Sequence, residues 1–250
     1  MPPDIARLRT LIVDDEDLAR RGLRRDLESD PAIEVVGECP DGFEAVRAAT
    51  ELKPDLVLLD IQMPRLDGFE VLELIDPGIA VVFVTAHDDH AVRAFEVNAV
   101  DYVLKPVDPE RLRTAIGRAR DRLRRREPLP AAALAAAARP PGTPVTRILV
   151  RDGPRVHVIP LEAIDYIEAQ DDYVAVHAAG RTHLKQQAIA DLERLLDPSR
   201  FARIHRSYIL NLDRLARIEL YAKDSRLAIL QDGTRLPLSR AGHARLRDRL

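Results

Sequence analysis

Leu56-Val57-Leu58-Leu59-Asp60-Ile61-Gln62-Met63-Pro64 carries four apolar residues into one carboxylate and then breaks at a proline. An uninterrupted apolar run between turn signals predicts a strand buried on both faces, the form strands take in a parallel sheet covered by helices. Such a strand delivers its last residue to the carboxyl edge of the sheet, where open α/β sheets bind their ligands. Asp60 is therefore the residue at which chemistry is expected.

The flanking sequence repeats the pattern. Leu8 to Val13 is a second apolar strand, and it runs into Asp14-Asp15-Glu16. Leu18, Leu23 and Leu27 then recur at near-helical spacing until Asp30-Pro31, and Ile33 to Gly37 reads as a short strand. Asp41 caps a helix carrying Ala45, Val46, Ala49 and Leu52 ahead of the Asp60 strand. Beyond it the chain turns at Asp67-Gly68, and Phe69, Leu72 and Ile75 begin another helical face. Ala80 to Val84 is a buried strand ending in Thr85-Ala86, and a helix is expected from about Asp89 to Val97. A last strand, Val100 to Leu104, ends in Lys105-Pro106. Asp108-Pro109-Glu110 then opens a helix by the Asp cap and early-proline rule, with Leu112, Ala115, Ile116 and Ala119 inward. Strand and helix alternating five times predict an α/β doubly wound, five-stranded parallel sheet.

The predicted strand ends gather Asp14, Asp15, Asp60, Thr85 and Lys105 on one edge. Three crowded carboxylates repel one another unless a divalent cation joins them, and hard oxygen donors with room for water suit Mg²⁺ or Mn²⁺. A lysine and a threonine beside that cation would hold the remaining oxygens of a phosphoryl group. Each residue alone has an ordinary explanation as solvated surface; their coincidence on one edge favours a site.

The 250 residues fit two domains, and 46% apolar content can bury a core in each. The lone Cys39 cannot form an intramolecular disulfide, the amino terminus lacks a secretory-type apolar segment, and no run approaches the roughly 20 apolar residues of a membrane span. A soluble cytoplasmic protein with no membrane partner is expected. Split at Arg139-Pro140-Pro141-Gly142-Thr143, residues 1–143 carry 20 Lys and Arg against 27 Asp and Glu, and residues 144–250 carry 18 against 14. Balances of −7 and +4 suit an acidic metal or phosphate module joined to one that meets a polyanion. Between them, the basic run Gly117 to Glu127 reads as a solvated helix end whose cations favour the negative dipole pole, with DNA phosphate contact as the alternative. The alanine- and proline-rich tract Pro128 to Gly142 reads as a linker.

From Arg147 the periodicity becomes that of strands. Ile148, Val150, Val156 and Val158 flank an Asp152-Gly153 turn and predict a hairpin. Ile164 to Glu168 and Tyr173 to His177 are strands around Gln170-Asp171-Asp172, and Gly180-Arg181-Thr182 turns into another. Ile189, Leu192, Leu195 and Leu196 form one amphipathic helix ended by Asp197-Pro198. Ile204, Tyr208 to Leu210, Leu212, Ile218, Leu220, Leu227, Ile229, Leu236 and Leu238 continue the strands, and a short helix closes from Arg240. The second half is thus mainly β.

Residues 8 to about 124 resemble the receiver domain of bacterial two-component response regulators, through Asp14-Asp15, Asp60 with Met63-Pro64 and Asp67-Gly68, Thr85-Ala86, Tyr102 and Lys105-Pro106. The resemblance implies that Asp60 is the phosphoacceptor served by a sensor histidine kinase. It also implies that Asp15, Asp60 and the Gln62 carbonyl ligate Mg²⁺ with Asp14 acting through water, and that Thr85 and Lys105 grip the phosphoryl oxygens. Haloacid-dehalogenase-type phosphatases also place an aspartyl nucleophile after a strand, but they carry a second acid two residues on. Here that position is Gln62, so a non-enzymatic role is expected. A phosphoryl group adds close to −2 charge; Thr85 would swing toward it, Tyr102 would turn inward, and the face formed by residues 89–97, the last strand and the following helix would pair into a homodimer.

Residues from about 145 to 250 resemble the LytTR DNA-binding domain, through Ile164 to Ala169 followed by Tyr173-Val174, Phe201-Ala202-Arg203-Ile204-His205-Arg206-Ser207-Tyr208-Ile209-Leu210-Asn211, and Leu236-Pro237-Leu238-Ser239-Arg240. Division into a receiver (1–125), a linker (126–143) and a DNA-binding domain (144–250) follows. The resemblance implies contacts to double-stranded DNA from loops: Asp171, Asp172 and Tyr173, then Arg206, then Arg240. Arginines suit guanine O6 and N7, whereas Asp171 and Asp172 sit badly beside phosphates unless one accepts from a cytosine amino group. Arg203 and Lys185 join the candidate contacts; packing or a salt bridge is the alternative for Arg203 and His205, and solvated surface for Lys185 and Arg181. Single-stranded RNA fits less well, because 4% aromatic content offers no stacking platform. The competing expectation is a receiver-controlled protein-interaction module that never touches DNA.

Overall fold

The computed structural model describes residues 7–86, 99–125, 145–222 and 225–247, and their contacts divide into two compact units. The first begins with β1 (Leu8–Val13), α1 (Asp17–Glu28), β2 (Ile33–Cys39), α2 (Gly42–Leu52) and β3 (Leu56–Leu59), and continues with α3 (Gly68–Leu74), β4 (Ala80–Thr85), β5 (Asp101–Leu104) and α4 (Pro109–Arg125). All its strand pairs are parallel, in the order β2-β1-β3-β4-β5. Every residue of β3 and β4 is buried, as an apolar run without alternation requires of a strand covered on both faces. α4 lays Leu112, Ala115, Ile116 and Ala119 onto that sheet, and α1 adds Leu23 and Leu27. Leu18, expected on the same face of α1, is 83% exposed. Leu23 and Leu27 are four apart and share a helix face, whereas Leu18 is five from Leu23 and turns away. The expected helix at Asp89 to Val97, the linker 126–143 and residues 1–6 lie outside the described residues.

From Arg147 the chain pairs β6 (Arg147–Asp152) with β7 (Arg155–Pro160). β8 (Ile164–Gln170), β9 (Tyr173–Ala178), β10 (Arg181–Lys185), α5 (Ile189–Leu195), β11 (Phe201–His205) and β12 (Tyr208–Asn211) follow. The five strands form one antiparallel sheet in the order β10-β9-β8-β12-β11. β13 (Leu215–Ala222), β14 (Ser225–Leu230) and β15 (Arg235–Leu238) make a three-stranded sheet, and α6 (Arg240–Arg247) closes the described chain. One core joins Ile148, Val150, Ile159, Ile164, Ile167, Val174 and Val176 to Leu192 of α5. A second joins β11 and β12 to β14, β15 and Leu246 of α6. The alternation expected along the first hairpin is displaced by one residue on its second strand, where Ile159 is buried and Val158 is 38% exposed. Leu220, one of the apolar residues that mark β13 as a strand, is 69% exposed.

Candidate functional site

Parallel register brings the acids together. β1 and β3 pair with Ile12 opposite Leu58 and Val13 opposite Leu59, so the next residues of both strands emerge at the same edge. The Asp60 amide donates to the Val13 carbonyl at 2.8 Å, which fixes the level of its side chain against β1. Asp14 and Asp60 are buried, Asp15 is exposed, and one carboxylate oxygen from each lies within 4.8 Å of the others. The Lys105 ammonium, delivered by the end of β5, sits 2.7 Å from Asp14 Oδ2 and 2.8 Å from Asp60 Oδ2. The opposite oxygens accept backbone bonds, Asp14 Oδ1 from the Glu16 amide at 3.0 Å and Asp60 Oδ1 from the Gln62 amide at 3.3 Å.

Burial pushes the Asp14 carboxyl above its usual range, against the opposing pull of Lys105 and the Glu16 amide. Burial also works against the charge on Lys105, but Asp14 and Asp60 outweigh it and raise that ammonium's pKa. One ammonium for three carboxylates leaves negative charge in excess. Hard, closely spaced oxygen donors with this excess fit Mg²⁺ or Mn²⁺, and Asp14, Asp15 and Asp60 each offer one carboxylate oxygen that could hold it. The Thr85 hydroxyl, at the end of β4, is fully buried and has no hydrogen-bond partner among the described residues. Its carbonyl accepts from the Lys105 amide at 2.9 Å, so Thr85 and Lys105 emerge side by side. Tyr102 is already buried, at 6% exposure.

Two features of this unit escape sequence reasoning, one at the site edge and one at the far end of β5. A Cβ on Gly68 would stand 2.3 Å from the Asp60 carbonyl oxygen and 2.9 Å from Ile61 Cα. Glycine thus lets the first turn of α3 press on the backbone of the acid itself, where the Gly68 amide donates to the Ile61 carbonyl at 2.9 Å. Asp67 and Glu70 close a capping box over that turn. The second feature is Asp101, whose side chain is fully buried yet receives Arg111 Nη1 and Arg118 Nη1 at 2.9 Å each. Burial acts to raise the Asp101 pKa, but Arg111, the Tyr102 amide and Arg118 together hold it below the usual carboxylate value. Arg111 also donates to the Tyr102 carbonyl, tying α4 to the last strand of the sheet. The sequence shows an acid with arginines ten and seventeen residues on, but nothing local marks the acid as buried or the arginines as its partners.

In the β-rich part, the candidate DNA contacts gather at one end of the five-stranded sheet. Gln170 pairs with Tyr173 across a two-residue turn, in which Asp171 has a φ of 50°. Ser207 of the β11–β12 turn accepts from the Ala169 amide at 2.8 Å, so the Asp171-Asp172 turn and Arg206 share an end. Lys185 pairs with Val174 at that end too. Arg240 joins through α6: Ser239 Nα and Oγ both donate to the Ile204 carbonyl at 2.9 Å, and Ser239 Oγ accepts from the Gly242 amide at 3.0 Å. A Cβ at Gly242 would lie 2.0 Å from that carbonyl oxygen, so glycine is what allows the helix to start there.

The side chains of this end divide by what they touch. Arg206, Arg240, Asp172 and Tyr173 are exposed. Lys185 instead donates to the Leu149 carbonyl at 2.9 Å. Arg203 meets Glu193 at 3.0 Å with 16% of its side chain exposed, and it also donates to carbonyls of its own turn. For Arg203 the packing and salt-bridge alternative is what the geometry displays, because each of its three guanidinium nitrogens has an acceptor within the protein.

Comparison with known proteins agrees with this architecture. Residues 10–117 match the response regulator receiver domain model, and residues 154–250 match the LytTr DNA-binding domain model. A response regulatory protein of Yersinia pestis is 34% identical over 97% of this chain and 98% of its own length. The transcriptional regulatory protein BtsR of Escherichia coli K12 is 33% identical, over 93% of this chain and 95% of its own. The sensory transduction protein LytT of Bacillus anthracis is 31% identical over the same shares, 93% and 95%. A doubly wound parallel sheet ending in three aspartates and a lysine, followed by a strand-rich module with matches of this length, makes the chain a member of the response regulators that join a receiver to a LytTR DNA-binding domain.

Proposed function

We propose that this response regulator is switched by phosphorylation of Asp60, with residues 1–125 as receiver, 126–143 as linker and 144–250 as the DNA-binding domain. The carrying observation is the placement of one ammonium, Lys105, within 2.8 Å of both Asp60 and Asp14 while Asp15 completes a three-carboxylate edge. An Asp60 oxygen attacks the phosphorus of a phosphohistidine on a sensor kinase; the O–P bond forms, the P–N bond breaks, and the imidazole nitrogen leaves with the electron pair. Bound Mg²⁺ or Mn²⁺ supplies charge neutralisation and orientation for the transferring group. Lys105 offsets the charge on Asp60 and the incoming oxygens, and the Thr85 hydroxyl, which has no partner among the described residues, has a bond to give to them. Asp14 keeps Lys105 fixed between the two strand ends.

The β-rich domain then binds double-stranded DNA as one half of a homodimer, in the cytoplasm. Among the described residues no helix is long and apolar enough to cross a membrane. Arg206 and Arg240, exposed at one sheet end, suit bidentate contacts to guanine, with the Asp171 to Tyr173 turn alongside. The test is uptake of acid-labile phosphate from acetyl phosphate in Mg²⁺. Wild type should take up phosphate at Asp60 and lose the ability in EDTA; Asp60→Asn taking up as much as wild type would overturn the reading.

A further inference from the structure

The β11–β12 turn contains only Arg206 and Ser207, and two-residue turns leave their carbonyls at the surface. Here the carbonyls of Arg206 and of His205 just before it are bonded by a side chain. Arg203, at the middle of β11, reaches along the strand so that its Nε donates to the His205 carbonyl at 2.8 Å and its Nη2 to the Arg206 carbonyl. Those two carbonyls belong to the two peptide planes that flank the Arg206 Cα. A guanidinium is planar and rigid, so one group pinning both planes fixes the direction in which the Arg206 Cα–Cβ bond leaves the backbone. The remaining nitrogen, Nη1, meets Glu193 of α5 at 3.0 Å, which balances its charge locally. The Arg203 carbonyl in turn accepts from Arg245 of α6 at 3.0 Å, five residues after Arg240.

We propose that Arg203 governs DNA recognition through Arg206, as a positioning residue that itself meets no DNA. This rests on Arg206 being a base reader. A bidentate contact tolerates displacement of only about 0.5 Å and 10–20° from its geometry, so a loosened turn costs discrimination before it costs attraction. Phosphate attraction should be indifferent, because the Arg203 charge is committed to Glu193 and is largely buried.

The test uses the full chain, a duplex enriched from a random-sequence pool by the wild-type protein, and its scrambled counterpart. Arg203→Gln should lower the ratio of enriched to scrambled affinity roughly 5- to 100-fold, the range of a lost bidentate contact. Arg203→Lys should do much the same, since one ammonium cannot span two carbonyls and Glu193; it keeps the charge and serves the same comparison if the glutamine variant unfolds. In an Arg206→Ala background neither substitution should lower the ratio further, and with Arg206 present each Arg203 variant should keep the wild-type salt slope of scrambled binding. Losses that multiply in the double variant would make Arg203 an independent reader and overturn the inference while leaving Arg206 in its role. A salt slope reduced by about one would make Arg203 a phosphate contact and overturn it too. An Arg206→Ala protein with an unchanged ratio would instead remove the base reading itself, and this is seen before any Arg203 variant is measured.

Discussion

Replacing Gly68 by alanine tests whether the close packing of α3 on Asp60 matters to the acid. The added carbon would meet the Asp60 carbonyl oxygen at 2.3 Å, the Ile61 Cα at 2.9 Å and the Asp60 carbonyl carbon at 3.1 Å. All three are backbone atoms, so no side chain can rotate away, and either α3 or the end of β3 must move. Forcing a methyl into a filled site costs about 1–3 kcal/mol, and the better helix propensity of alanine returns up to about 1 kcal/mol. A net loss of about 1–2 kcal/mol follows. Read by native-state hydrogen exchange at the slowest amides of β1, β3 and β4, that is exchange roughly 5- to 30-fold faster. Phosphate uptake at Asp60 should slow as well, since the displaced atoms include its own carbonyl. Gly117 provides the control: nothing lies within 4 Å of a Cβ there, and it sits inside α4. Gly117→Ala should therefore stabilise, by about 0.5–1 kcal/mol, with no effect on uptake. Exchange and uptake unchanged in Gly68→Ala would refute the steric argument.

Three further outcomes are expected. Asp101→Asn leaves Arg111 and Arg118 without their carboxylate; with those arginines 37% and 57% exposed, the usual loss for a broken buried pair is reduced to about 2–3 kcal/mol at neutral pH. Because the folded-state pKa of Asp101 is depressed, its contribution is present above the ordinary carboxylate pKa and fades as pH falls through the lower folded value. Thermal melts of wild type and variant should therefore converge only in acid, below about pH 4; convergence already near pH 6 would contradict the pairing. Thr85→Ala removes a buried hydroxyl that has no hydrogen-bond partner among the described residues, so stability should hold while phosphate no longer promotes dimerisation; an equal phosphate-induced mass increase in light scattering for both proteins would count against it. Arg240→Ala should narrow the gap between enriched and scrambled duplex, whereas replacing Arg124 and Arg125 together should lower both affinities in parallel. A collapse of the ratio in the second protein alone would move the reading surface to the junction.

The receiver edge was legible because parallel strands all deliver their last residues to one side. Once Leu8 to Val13, Leu56 to Leu59, Ala80 to Thr85 and the strand before Lys105 are recognised as strands, the proximity of Asp14, Asp60, Thr85 and Lys105 follows without knowing a single tertiary contact. Asp41 as a helix cap was equally local, and its side chain accepts the Glu44 amide at 2.9 Å. What could not be read is what depends on distant partners. Asp101 finds arginines on a helix across a turn, and Arg203 looks like any basic residue of a DNA-binding strand until its nitrogens are seen to bond its own turn and Glu193. Leu18 and Leu220 mark the other limit, since hydrophobicity biases a residue inward but only spacing and pairing decide which face it takes. Gly68 and Gly242 carry a packing requirement that a glycine in a turn or at a helix start does not announce.

The central claim is that chemistry at Asp60 controls DNA binding by the domain that follows. It is tested most directly by titrating full-length wild type and Asp60→Asn with the enriched duplex, each with and without acetyl phosphate in Mg²⁺. Wild type should bind more tightly after phosphodonor treatment, and Asp60→Asn, which keeps the shape of the side chain without its nucleophile, should bind equally with and without it. Equal tightening in both proteins would contradict the account.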